Sequence, residues 1–155
     1  KRADYFYSLG LYGRSASMYK RILDNGEGRS LSHEFRGKVW NNLGACYGEL
    51  FSFQKAMDAY VCAWNEKPEA AYLKGMYFLT KLDPELSMKD RCRELLASQD
   101  TEGWDREFNE ALARAGQTGP AVRLQEIFDR DPEKRLEARR CGTVLPAYDL
   151  RPDDQ

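Results

Sequence analysis

The sequence lacks the residue sets on which most enzyme active sites and metal centres depend. It has one histidine, His33, which cannot supply a catalytic triad and which we expect at the surface near a helix start. No G-x-S-x-G, no phosphate-binding glycine loop and no H-E-x-x-H occurs. Acidic pairs such as Glu107 with Glu110 are typical of solvated helix faces. We therefore expect no enzymatic activity, no cofactor and no metal site.

The chain also lacks an excess of one charge and a long apolar run. Its 24 basic residues nearly balance 25 acidic ones, for a net charge of −1. A nucleic-acid binder needs a basic field to neutralise phosphates, so this class is not favoured. No apolar run approaches the roughly 18 residues that cross a bilayer. Membrane contact is therefore expected only through parts of the protein outside this chain.

Cysteine is present but in no ligand-like spacing. The four cysteines are Cys46, Cys62, Cys92 and Cys141, and none forms a C-x-x-C pair. The first three lie among apolar neighbours, which favours buried, reduced thiols that pack as small hydrophobic side chains. Reduced thiols fit a reducing compartment, and we expect a cytoplasmic protein.

What the sequence has in abundance is helical periodicity. Glycine, proline and Asp-Pro breaks separate segments whose apolar residues recur every three or four positions. This pattern predicts an all-α chain. The predicted helices cover about 2–9, 14–24, 32–49, 53–66, 69–81, 85–98, 101–115, 120–129 and 132–140. Ser32 is the predicted N-cap of the third, Pro84 and Pro120 are placed in first turns, and Asp100 or Thr101 is predicted to cap the helix that contains Trp104.

One stretch carries a repeat motif. Trp40-Asn41-Asn42-Leu43-Gly44-Ala45-Cys46-Tyr47 fits W-x2-L-G-x2-Y, and Ala56, Tyr60 and Pro68 follow at the expected offsets. Residues 37–69 therefore resemble one complete tetratricopeptide repeat (TPR). Phe51 departs from the pattern, because the family usually has glycine at that position. Small residues such as Gly44 and Ala56 are expected where two antiparallel helices approach closely.

The resemblance implies a right-handed superhelix of antiparallel helical hairpins, a TPR-like α-α superhelix of about four hairpins plus a C-terminal helix. Weaker repeats are predicted at about 1–30, 69–98 and 101–130. The repeat domain is thus expected to span 1–141, followed by an extended tail at 142–155. The alternative for this tail is that Val144, Leu145, Tyr148 and Leu150 dock on a neighbouring helix.

In such a superhelix the first helix of each hairpin lines the concave face, where peptides or partner helices bind. The predicted partner-binding residues of this face are Lys38, Asn41, Asn42, Glu49, Lys74 and Tyr77. Ala45 is also expected to open toward this groove, with Leu73 at its rim. Asn42 with Lys74 resembles part of the carboxylate clamp of some tetratricopeptide domains, although Asp4 stands where that clamp needs an amide. A solvated groove without a single ligand is the alternative.

The predicted function is that of a protein–protein interaction scaffold that binds a peptide or partner helix on its concave face. Two alternatives remain open: a regulatory or sensor module that controls an attached domain, and self-association into a homo-oligomer through hairpin edges. Because the chain begins Lys1-Arg2-Ala3 rather than with Met, we expect it to be part of a larger protein.

Overall fold

The computed structural model describes residues 11–24, 31–117, 145–148 and 150. All of the regular secondary structure in these ranges is helical, which confirms the all-α prediction. The helices are α1 (Tyr12–Asp24), α2 (His33–Glu49), α3 (Phe53–Glu66), α4 (Ala70–Leu82), α5 (Asp90–Ala97) and α6 (Glu102–Gln117). The helices predicted at 2–9, 120–129 and 132–140 lie outside the described residues.

Local capping explains where α2 and α6 begin. The Ser32 side chain accepts a hydrogen bond from the backbone N–H of Phe35 at 3.1 Å, which confirms Ser32 as the N-cap of α2. Ahead of α6, Asp100 Oδ1 accepts from the N–H of Glu102 at 3.2 Å. Both side chains satisfy amide groups that the first helical turn leaves without a partner.

The prediction for α5 is wrong at its start. A helix was expected from 85, with Pro84 in its first turn, but α5 begins only at Asp90. The Asp83 carboxylate accepts from the N–H of Glu85, and its carbonyl accepts from the N–H of Leu86 at 3.1 Å. Asp83 and Pro84 therefore form a turn rather than a helix start, because the aspartate side chain competes for the local amide groups.

Consecutive helices pack on one another, most extensively α2 with α3, then α1 with α2 and α3 with α4. Their buried apolar side chains form two clusters. Cluster A joins α1 and α2 with Ala59 of α3 and with Leu150, and it consists of Tyr12, Ala16, Tyr19, Leu23, Phe35, Val39, Leu43, Cys46, Ala59 and Leu150. Cluster B joins α3 through α6 with Ala45 of α2 and with Leu145, and it includes Met57, Tyr60, Leu73, Met76, Phe78, Leu79, Cys92, Leu96 and Phe108.

One aromatic ring is held between glycines of two helices. A Cβ atom added to Gly44 of α2 would lie 3.1 Å from Tyr60 Cζ, and one added to Gly75 of α4 would lie 2.5 Å from Tyr60 Cε1. Tyr60 is fully buried, so its ring has no open space to move into. Gly44 therefore makes room chiefly for this ring. The size of both glycines sets how closely α2 and α4 can approach α3.

The turn between α2 and α3 has a strained residue. Phe51 has a φ of 58°, in the left-handed region that glycine adopts without a steric penalty. The family pattern has glycine at this position. With phenylalanine there, the left-handed backbone conformation costs about 1–2 kcal/mol in steric strain. The Phe51 ring lies 5.8 Å from that of Phe53 in an edge-to-face arrangement, which offsets part of this cost.

We expect Gly75→Ala to lower the free energy of unfolding by about 1–2 kcal/mol, because overpacking against Tyr60 exceeds the gain in helix propensity of about 1 kcal/mol. Chemical denaturation measures the change. Gly103→Ala is the matched control, since an added Cβ there meets no atom within 4 Å. In a Tyr60→Leu background the cost of Gly75→Ala should largely disappear. An equal cost in both backgrounds would contradict the role given to the ring.

We expect Phe51→Gly to be more stable than Phe51→Ala by about 1 kcal/mol, because both lose the ring but only alanine keeps the left-handed penalty. The same pair of substitutions at Phe53, the first residue of α3, is the control. There the order should reverse, since alanine favours a helix over glycine. Unfolding free energies from denaturant titration decide between the two orders. Equal stabilities of Phe51→Ala and Phe51→Gly would show that the left-handed backbone at this position carries no strain.

Candidate functional site: the face of α2 and α4

The candidate site is a face of α2 and α4 that is covered by the chain's own residues. Lys38, Asn42 and Glu49 recur at helical spacing and so share one side of α2. Residues 145–148 and 150, called here the covering segment, lie against this side. The same face continues on α4 at Lys74 and Gly75, which line a cavity with Pro146, Ala147 and Tyr148.

Asn42 holds the backbone of the covering segment. The N–H of Tyr148 donates to Asn42 Oδ1 at 2.7 Å, and Asn42 Nδ2 donates to the carbonyl of Tyr148, also at 2.7 Å. A side-chain amide thus pairs with both backbone groups of one residue, as a neighbouring β-strand would. This contact depends only on the backbone groups of Tyr148 and does not involve its side chain.

Neighbouring groups complete the hydrogen bonding of Asn42. Its Nδ2 also donates to the Tyr19 hydroxyl at 3.2 Å, and its Oδ1 accepts from Asn41 Nδ2 at 3.3 Å. Asn41 Nδ2 makes a longer contact of 3.5 Å with the carbonyl of Pro146. Asn42 is fully buried, so this network compensates the loss of water around a polar amide.

Two leucines anchor the covering segment. Leu145 is 1% exposed and its Cδ1 occupies the space beside Gly48, where an added Cβ would lie only 2.0 Å away. The N–H of Leu145 donates to the buried carboxylate of Glu49 at 3.2 Å. Leu150 is buried in cluster A. The segment therefore contributes apolar side chains to both clusters.

The ring of Tyr148 lies between a cation and a second aromatic ring. Lys38 Nζ is 5.4 Å from its centroid, and the Tyr72 ring stands edge-on at 6.5 Å. Burial, and then the nearby charge of Glu69, raises the pKa of the Tyr148 hydroxyl. The phenol therefore stays neutral at physiological pH, and its ring remains available to Lys38.

On α4 the predicted site residues contact α6. Lys74 Nζ forms an ion pair with Glu107 at 3.0 Å, and the Tyr77 hydroxyl donates to Asp105 at 2.5 Å. Lys81 also bonds Asp105, at 2.8 Å. The hydrogen bond from Lys81, followed by that from Tyr77, lowers the pKa of the Asp105 carboxyl. The ring of Tyr77 packs against Trp104 at 5.8 Å, so this end of the face is tied to α6.

Five of the six predicted partner-binding residues contact the covering segment or line the cavity beside it, whereas Tyr77 contacts α6, and the structure corrects the expected exposure of three of them. Asn41, Asn42 and Glu49 are buried, although an open groove was expected to leave them accessible. The covering segment accounts for this difference, because it bonds each of them. Ala45 and Leu73 were expected at the groove and its rim, and both are instead buried in cluster B. The partner-binding role of the six residues stays a prediction.

The two clamp residues are engaged within the chain. Asn42 binds a peptide backbone and Lys74 binds Glu107, so neither is arranged to hold a terminal carboxylate.

The sequence analysis did not identify Gly48 as a site residue. The signal that could have identified it is its spacing, because it is a second glycine one helical turn after Gly44. Of the two readings of the tail, docking is confirmed for Leu145, Tyr148 and Leu150, while Val144 lies outside the described residues.

A second cavity, of about 520 Å³, lies between α3 and the residues ahead of α5. Its lining includes Met57, Val61, Cys62, Met88 and Cys92. Burial raises the pKa of the Cys62 thiol, which opposes formation of a reactive thiolate. Across the described ranges, no group of three or more His, Cys, Asp or Glu is placed to hold a metal ion.

Within the same ranges, no helix has the length and hydropathy needed to span a membrane. Comparison with known proteins adds no relative: no protein-family model, no curated protein and no solved structure matches the chain.

We expect Asn42→Ala to expose the backbone amide of Tyr148 to solvent, because its acceptor is removed. Hydrogen exchange at Tyr148, followed by NMR, should accelerate at least tenfold if the lost bond is worth about 1.4 kcal/mol or more. Asn65→Ala is the matched control, since Asn65 is exposed on α3. Exchange at Tyr148 that is unchanged in Asn42→Ala would show that this amide does not secure the segment.

Proposed function

We propose that the chain is a tetratricopeptide-like helical repeat module of a larger protein, and that its α2–α4 face binds an extended segment of a protein partner. The observation that carries the proposal is the pair of hydrogen bonds between Asn42 and the backbone of Tyr148. Such a pair matches the N–H and C=O groups that every residue of a polypeptide backbone presents, apart from the missing N–H of proline. The covering segment thus serves as an example of the ligand class.

The helical arrangement supports the family resemblance. α2 packs on α3 and α3 packs on α4, in each case across a connection of three residues, as hairpins of a superhelix do. The motif residues Gly44 and Tyr60 are in contact, as the repeat pattern requires of closely packed helices. We extend this to a right-handed superhelix of hairpins, in which α2 and α4 are first helices and form the concave face.

A regulatory module is the second candidate, and the covering segment favours it. The face is held by residues of the same chain that lie more than 95 positions away in sequence. A partner must displace them, so binding and release of the segment become coupled. A domain attached to this chain could respond to that release, which is the behaviour of a switch.

A weakened covering segment allows a direct test of the binding face. The full chain with Leu145→Ala and Leu150→Ala keeps every residue of α2 and α4 but loses two buried anchors. The probe is a fluorescein-labelled peptide with the sequence of residues 143–151, TVLPAYDLR. We expect this variant to bind the peptide at least tenfold tighter than the wild-type chain, by fluorescence anisotropy. The wild-type segment competes at an effective concentration on the order of millimolar.

The control variants separate the face from the rest of the molecule. In the weakened background, Asn42→Ala should reduce peptide affinity at least tenfold, whereas Asn65→Ala should leave it unchanged. Light scattering checks that the complexes remain monomeric, which distinguishes peptide binding from self-association. Absence of any saturable binding by the folded, weakened variant up to millimolar peptide would reject the proposed function.

A further inference from the structure

The glycines of α2 are used in two different ways. Gly37 and Gly44 make room for Tyr72 and Tyr60, which belong to the neighbouring helices α4 and α3. Gly48 makes room for the Cδ1 atom of Leu145 in the covering segment, and an added Cβ there would force this leucine side chain to shift. α2 therefore carries a recess that fits a leucine side chain from an extended chain.

A second binding position on the face fits an aromatic side chain. Lys38 and Tyr72 contact the Tyr148 ring from two directions, and Asn42 holds the backbone of the same residue. A backbone contact at this position fixes the register of the segment. The side chain three residues after the leucine is then placed in contact with Lys38 and Tyr72.

The two positions between the anchors differ. Pro146 is exposed at the edge of the cavity and contacts Asn41 only through its carbonyl, so we expect the face to accept other side chains at this position. Ala147 lines a cavity of about 140 Å³ that it shares with Asn41, Ala71, Lys74 and Gly75. Alanine leaves this volume unfilled, so a larger apolar side chain at this position would gain contacts that the covering segment does not make.

We propose that the partner is an extended protein segment with a leucine, a free position, an apolar residue larger than alanine and then a tyrosine. The leucine enters the Gly48 recess and the tyrosine lies between Lys38 and Tyr72. The covering segment is the chain's own, suboptimal version of this sequence. This inference rests on the proposed function and adds the chemistry of the ligand to it.

The position occupied by Ala147 explains how a partner can prevail over a tethered competitor. The covering segment has the advantage of being attached to the face, which acts as an effective concentration on the order of millimolar. A partner must offset this advantage with contacts that the covering segment lacks. The cavity beside Ala147 is where the structure offers them.

Peptides added to the weakened full-chain variant test the two anchors. Relative to TVLPAYDLR, the peptides with Leu145→Ala or Tyr148→Ala should bind about tenfold or more weakly, since each loses a large apolar contact. The Pro146→Ala peptide should stay within about threefold, because Pro146 is exposed. The Ala147→Leu peptide should bind about threefold or more tightly.

A matched change on the receptor identifies the recess itself. Gly48→Ala in the weakened variant should reduce binding of TVLPAYDLR about tenfold and leave binding of its Leu145→Ala version nearly unchanged. Gly103→Ala is the control, since it lies on α6 and an added Cβ there meets no atom. Equal losses for both peptides would show that Gly48 acts on the fold rather than on the leucine.

The outcomes separate the two proposals. If no peptide binds, the proposed function fails. If all peptides bind equally, the face binds polypeptide but the ligand chemistry proposed here is wrong. With the wild-type chain, excess Ala147→Leu peptide should accelerate hydrogen exchange at the Tyr148 amide of the protein at least tenfold. If that amide stays protected at millimolar peptide, the covering segment is a permanent part of the fold and the inference is overturned.

Discussion

The contact of Tyr60 with Gly44 and Gly75 is the constraint on which the other features of the structure depend. The ring reaches from α3 to a glycine on α2 and a glycine on α4, and it is fully buried. Any side chain at either glycine would push one of these helices away, because a packed interior has no free volume to absorb it. The candidate face is built from α2 and α4, so the geometry of this contact also sets the width of that face.

The sequence predicted α2 and α3 to within one residue, because local signals agree there. Apolar periodicity, the Ser32 cap and the small residues of the repeat motif all favour the same hairpin. α5 was misplaced because Asp83 forms a turn with its own side chain, a competition that helix periodicity does not report. Phe51 was identified in the sequence only as a departure from the motif, and it is the structure that shows the left-handed turn kept without the usual glycine.

The candidate site could be predicted only in part. Helical spacing placed Lys38, Asn42 and Glu49 correctly on one side of α2, since a period of 3.6 decides which residues share a face. Their burial was missed because it depends on residues far along the chain: Asn42 and Tyr148 are separated by 106 positions. The apolar residues of the tail carried a signal for docking, but nothing local in the sequence says which face they cover.

The polar residues beneath the covering segment make an empty face unfavourable. Asn42 and Glu49 are buried, and each bonds a backbone group of the segment. If the segment left and nothing replaced it, these groups would have to be rehydrated while Leu79 and the Gly48 recess became exposed. Under the proposed function, binding of a partner is an exchange of one segment for another. The affinity measured for such a partner reports the difference between the two segments, and we expect substitutions in the covering segment to change it as directly as substitutions in the partner.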